Sequence, residues 1–104
     1  MDVGEFQNFL RALGAKRSEI RVLLALIRAG RPLKFTEILA STGLSERTVR
    51  LALASLRAQG YVRTVGRGRA TRYMSEKPGV IAEMLRKGME EKISAIFTHL
   101  QSHS

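Results

Sequence analysis

Val3, Phe6, Leu10 and Leu13 recur at steps of three and four, the spacing that gathers apolar side chains on one face of an α-helix. Gly14 is placed to end that helix. Ile20, Leu23, Leu24 and Ile27 repeat the pattern up to Gly30, and Ser18 and Glu19 stand where a helix start takes a hydroxyl cap and an acid. Arg31 and Pro32 interrupt it, because proline has no amide with which to continue. "FTEILASTG" then predicts a helix of about two turns with Ile38 and Leu39 inward and Gly43 closing it. Leu44 leads to Ser45, a cap for "ERTVRLALASLRAQ", which Gly60 ends.

Two helices around a short turn containing glycine form a helix-turn-helix pattern. In its second helix Val49, Ala52, Leu53 and Leu56 share the inner stripe, and Arg47, Arg50, Leu51 and Ala54 take the outer side. The runs "YVRTV" and "TRYM" follow, separated by a loop with Gly66 and Gly68, and they predict a hairpin with Arg67, Arg69 and Arg72 at its tip. Helix, turn, helix, strand, glycine loop, strand is the order of a winged helix.

Pro78 suits the first turn of a last, long helix. Ile81, Leu85, Met89, Ile93 and Phe97 step by four, with Val80, Met84, Ile96 and Leu100 beside them. So wide a stripe needs more cover than a small winged helix supplies. Self-association through Leu85, Met89, Ile93, Ile96, Phe97 and Leu100 is the expectation, with the first helix packed alongside. The stripe drifts from a heptad, which favours crossing helices over a parallel coiled coil. Gly88 either permits a close backbone approach or is a mild local weakness of the helix. The expected fold is therefore mainly α with a small β-hairpin: an N-terminal helix in residues 1–14, a winged helix-turn-helix in 15–75 and a C-terminal dimerisation helix in 76–104.

Charge sharpens this picture. Residues 1–42 carry seven basic and four acidic side chains, and residues 74–104 carry four of each. Residues 43–73 carry seven arginines against Glu46 alone, which is six of the net nine positive charges. A surplus concentrated in this way attracts a polyanion through phosphate neutralisation and counterion release. Cysteine is absent, which removes thiolate nucleophiles, disulfides and the usual zinc sites. His99 and His103 lie four apart and make a poor two-ligand metal site, so no metal or cofactor is expected. No carboxylate pair, Ser-His-Asp order or phosphate cradle appears, and an enzyme is the weakest reading. No apolar run approaches a membrane span and the N-terminus is not signal-like, so a cytoplasmic protein with no membrane partner is expected.

The stretch "LSERTVRLALASLRAQGYV", together with the "GRGR" wing, resembles the winged helix-turn-helix transcriptional regulators, particularly the small MarR-like and TrmB-like proteins of archaea, over residues 18–75. The resemblance implies sequence-specific binding of double-stranded DNA, with Ser45, Arg47, Thr48, Arg50 and Leu51 at the major groove and Arg67 and Arg69 as wing contacts. Arg72 joins them by its place in the same basic run. A homodimer would present two recognition helices to half-sites about 34 Å apart. Family members usually sense a ligand or rely on a partner domain, for which this chain leaves little length. Two other readings stand beside it. An RNA-binding or ribosome-associated winged helix would want aromatic platforms, and only Tyr61 and Tyr73 lie in the basic region. A protein-binding winged helix would want an acidic recognition face.

Overall fold

The helices and strands follow the expected order: α1 (Val3–Ala12), α2 (Arg17–Ala29), α3 (Phe35–Thr42), α4 (Glu46–Ala58), β1 (Val62–Val65), β2 (Arg72–Ser75) and α5 (Pro78–Ser102). The structure is a computed structural model and describes residues 2–102.

Caps decide the helix starts. Asp2 Oδ1 accepts the Glu5 N–H at 2.8 Å and opens α1, and Ser45 Oγ accepts the Thr48 N–H at 3.2 Å and opens α4. α2 differs from expectation. Its cap residue is Lys16, two positions before Ser18, because the Glu19 carboxylate reaches back to accept the Lys16 N–H at 3.3 Å. Glu37 does the same for Lys34 at 3.0 Å, opening α3. Gly30 and Gly43 close α2 and α3 with φ of 63° and 69°, a backbone that side-chain-bearing residues rarely adopt.

α2 packs against α4, α3 crosses both, and the hairpin closes one end. Val49, Ala52, Leu53 and Leu56, the inner stripe of α4, are at most 3% exposed. They meet Val22, Leu23 and Leu26 of α2 and Ile38 of α3 in one core, which Leu10 of α1 and Ile81 and Leu85 of α5 complete. Burial of each large aliphatic side chain stabilises the fold by roughly 1.5–3 kcal/mol. One carboxylate is buried with them. Glu19 accepts the Ser55 hydroxyl at 2.9 Å and the Gln59 amide at 3.3 Å, tying the start of α2 to the end of α4.

β1 and β2 are antiparallel, with Val62 opposite Ser75 and Val65 opposite Arg72. Leu33 and Tyr73 exchange two backbone hydrogen bonds of 2.8 Å, which fasten β2 to the segment before α3. At the loop, Gly66 has φ 82°, and a Cβ there would lie 2.4 Å from the Ala70 carbonyl oxygen. Only glycine fits. A 3₁₀ turn, Gly68–Ala70, then returns the chain to β2.

α5 leaves the core after Leu85. A Cβ on Gly88 would meet both Leu13 methyl carbons at 3.2 Å, so the glycine lets the end of α1 sit close, and Lys92 Nζ donates to the Ala12 carbonyl beside it. Beyond this crossing every described residue of α5 is exposed, and the molecule measures 56 × 26 × 26 Å. Among the described residues no helix is long and apolar enough to cross a membrane.

Candidate nucleic-acid interface

The outer side of α4 is open to solvent. Arg47, Arg50, Leu51 and Ala54 are all exposed there, Leu51 at 62%. At the helix start the Ser45 hydroxyl donates to Thr48 Oγ1 at 2.8 Å, so the two hydroxyls hold each other at the rim of the same face. Arg50 does not hang free. Its guanidinium carbon stands 4.5 Å from the centre of the Phe35 ring, the first residue of α3.

The hairpin carries Arg67 and Arg69 exposed, one just before and one within the 3₁₀ turn. Arg72 is placed otherwise than expected. It is the first residue of β2, half-buried, with Nη1 enclosed and lacking a hydrogen-bond partner among the described residues, and it adds its charge to that acting on Glu37. The reason is register: pairing with Val65 puts Arg72 at the base of the loop instead of its apex. The Glu37 carboxyl is held down at about 2, first by the Arg31 hydrogen bond, then by the Lys34 amide, with Arg31 and Arg72 adding attraction against the opposing effect of burial. The Arg31–Glu37 pair itself spans 2.8 Å.

Two arginines absent from the expected set also border this surface. Arg57 and Arg63 line a shallow groove of about 590 Å³ with Ala54, Ala58, Val62 and Thr64, where the end of α4 meets β1. Spacing contains the signal for the first, because Arg57 lies seven residues after Arg50 and so on the same helical face. Arg63 follows buried Val62 and therefore points outward from the strand. Its guanidinium also lies 3.8 Å from Glu76. The ion pairs among the described residues are Arg31–Glu37, Arg63–Glu76 and Arg86 with Glu83 and Glu90. None of them involves Arg47, Arg50, Arg57, Arg67 or Arg69. Five uncompensated guanidinium groups thus belong to α4 and the hairpin tip.

Residues 20–66, from α2 into the hairpin loop, match the profile of the IclR helix-turn-helix domain. The fold is a winged helix-turn-helix. No curated protein matches this chain in sequence. Solved structures share its shape. A possible transcriptional regulator from Methanosarcina mazei Go1 superposes with TM-score 0.80 at 12% identity, over 93% of this chain and 87% of that one. The ST1889 protein from the thermoacidophilic archaeon Sulfolobus tokodaii gives 0.78 at 19% identity, over 92% and 99%. A MarR-family transcriptional regulator from Silicibacter pomeroyi gives 0.59 at 20% identity, over 97% and 78%. At these identities the likeness is one of fold. The winged helix-turn-helix resemblance therefore holds, whereas its MarR-like subtype rests on shape, the sequence match being to the IclR-type domain.

The residues assigned to self-association divide in the structure. Leu85 is 1% exposed and belongs to the protein's own core, so it is removed from that surface: its turn of α5 already covers the winged helix. Met89 is half-buried near the α1 crossing, and Ile93, Ile96, Phe97 and Leu100 are 54–64% exposed on the projecting half. Among the described residues no group of three His, Cys, Asp or Glu side chains could hold a metal ion. Of the His99–His103 pair, His103 lies outside the described residues.

Proposed function

We propose that the chain is a sequence-specific, double-stranded-DNA-binding transcriptional regulator that acts as a homodimer. One observation carries the reading: Arg47, Arg50, Arg57, Arg67 and Arg69 stand on α4 and the adjoining hairpin with no carboxylate partner among the described residues. α4 enters the major groove with its outer face, where a guanidinium donates two bonds to guanine O6 and N7 and Leu51 packs on a thymine methyl. Arg67 and Arg69 follow the sugar-phosphate surface or the minor groove, and the tight Gly66 turn keeps the loop thin enough to approach it.

The dimer supplies the second half-site. Ile93, Ile96, Phe97 and Leu100 line a helix that has left its own core, and a copy of the same helix gives them an apolar partner. The site bound would then be a near-palindrome with centres about 34 Å apart.

Packing of the tyrosines argues against an RNA reader. Tyr61 is 7% exposed and Tyr73 is half-buried in the strand paired to Leu33, so neither offers a stacking platform. Selection of bound fragments from a pool of random duplexes tests the proposal. A recovered palindromic consensus, lost when Arg50 is changed to Ala, supports it; equal retention of all duplexes, or preferential retention of single-stranded RNA, contradicts it.

A further inference from the structure

A second cationic face lies on the far side of α2. Arg17, Arg21 and Arg28 follow one another at intervals of four and seven, the spacing of one helical stripe. Glu19, which meets α4 through Ser55 and Gln59, is two residues from Arg17 and Arg21 and nine from Arg28. At 3.6 residues per turn, each arginine therefore leaves α2 about 160–180° away from its α4 side. With Arg11 of α1 and Lys16 at the helix cap, they line an open groove of about 1390 Å³ between α1, α2 and the end of α3. All five cations are exposed.

The lining contains no carboxylate, while the hydroxyls of Ser18 and Ser41 add neutral donors. Arg21 donates to the Thr42 carbonyl at 3.4 Å, which holds the guanidinium at the edge of the groove without neutralising it. Like charges four apart on a helix repel each other, so an anion in the groove removes a cost as well as adding attraction. Ile20 and Leu24 beneath are buried and apolar, a low-dielectric floor that focuses the field outward.

We propose that this groove holds the phosphate backbone of a second DNA duplex, so that one chain grips two duplexes, one on each side of the α2–α4 pair. The proposal rests on the reading of α4 as the first duplex site. Length selects a polymer over a small anion: Arg17 to Arg28 spans about 16 Å of helix, several phosphates at about 3.4 Å per nucleotide along one strand. The groove is also larger than the roughly 300–1,000 Å³ of a small-molecule site.

The test is capture of a labelled duplex by protein already bound to an immobilised duplex, with binding to a single duplex measured in parallel. The triple variant Arg17→Gln, Arg21→Gln, Arg28→Gln is expected to lose capture, while single-duplex affinity and melting temperature stay as in the wild type. The salt slope of capture should fall by about 2.7, three phosphate contacts at about 0.9 each. Replacing the same three residues with Lys should restore capture, and the pair Arg17→Gln, Arg28→Gln, which leaves the Arg21–Thr42 bond intact, should show the loss if the triple variant fails to fold. Capture undiminished in the Gln variants overturns the proposal, as does a wild-type protein that captures no second duplex, or capture displaced by polyglutamate but not by unlabelled duplex. Equal weakening of the first duplex would merge the groove with the α4 interface and also overturn it. A wild-type protein that binds no duplex at all sinks the regulator reading instead.

Discussion

Arg50 of α4 stacks its guanidinium on the ring of Phe35 of α3, 4.5 Å from the centroid. One helix of the helix-turn-helix thus holds the side chain with which the other is proposed to read a base. A cation–π contact uses none of the guanidinium's N–H donors as hydrogen bonds to an oxygen, and those are the donors a guanine edge accepts. Holding the side chain in place also removes part of the roughly 2 kcal/mol of rotamer entropy that a free arginine would lose on binding. Phe35→Leu should therefore reduce discrimination between selected and random duplex by about 0.5–1 kcal/mol. The same change made after Arg50→Ala should do nothing further. A double-mutant cycle on the two affinities checks this, and additive effects would show that the residues act separately.

Glu19 is 6% exposed and joins Lys16, Ser55 and Gln59 across the α2–α4 seam. Glu19→Ala leaves the Lys16 amide and the Ser55 hydroxyl without their acceptor, while Gln59 keeps its bonds to Ser55, at a cost of about 1–3 kcal/mol. For a chain of this size the melting temperature should fall by roughly 4–8 °C for each kcal/mol. Calorimetry of the two proteins measures it, and an unchanged melting point would mean that water satisfies those groups.

Glu37 carries the acid sensitivity of the α3 start. Its carboxyl is lowered in the fold from an ordinary 4.5 to about 2, chiefly by the Arg31 hydrogen bond. A carboxyl lowered on folding stabilises at and above its ordinary value, and that contribution disappears as pH falls toward the folded one. Arg31→Ala should consequently flatten the loss of stability between about pH 4.5 and about pH 2 while leaving the neutral-pH dependence alone. Urea midpoints across that window would show it. Both side chains are solvent-exposed enough that the effect should shrink in high salt.

The projecting half of α5 makes the assembly testable. Ile93→Glu with Phe97→Glu should convert a dimer to a monomer without lowering the helical content of the winged helix, because neither residue touches the core. Sedimentation decides between this and a native monomer, and a native monomer would leave the exposed stripe without its proposed partner.

Much of the fold was legible because its punctuation is local. Ser45 caps, Gly43 closes, and the period of Val49, Ala52, Leu53 and Leu56 separates inside from outside without any knowledge of the neighbours. Register and packing depth are not local. Arg72 was expected at the loop apex and stands in β2, because strand pairing, unlike composition, assigns loop positions. Leu85 was expected on a shared surface, yet its position in the apolar row of α5 says nothing about which part of that row folds onto the same chain. The α2 groove is hidden for a similar reason: residues 1–42 carry only a mild surplus of charge, and tertiary structure alone brings Arg11 of α1 beside Lys16, Arg17, Arg21 and Arg28 while placing the acids elsewhere.

The central claim is that α4 and the hairpin form one surface for duplex DNA, and the salt dependence of binding tests it most directly. Affinity for a duplex should fall linearly in log–log form with salt, and Arg67→Ala with Arg69→Ala should flatten that slope by about 0.9 for each phosphate contact removed, equally on every sequence. An identical slope in wild type and variant would take the hairpin out of the interface and contradict the account.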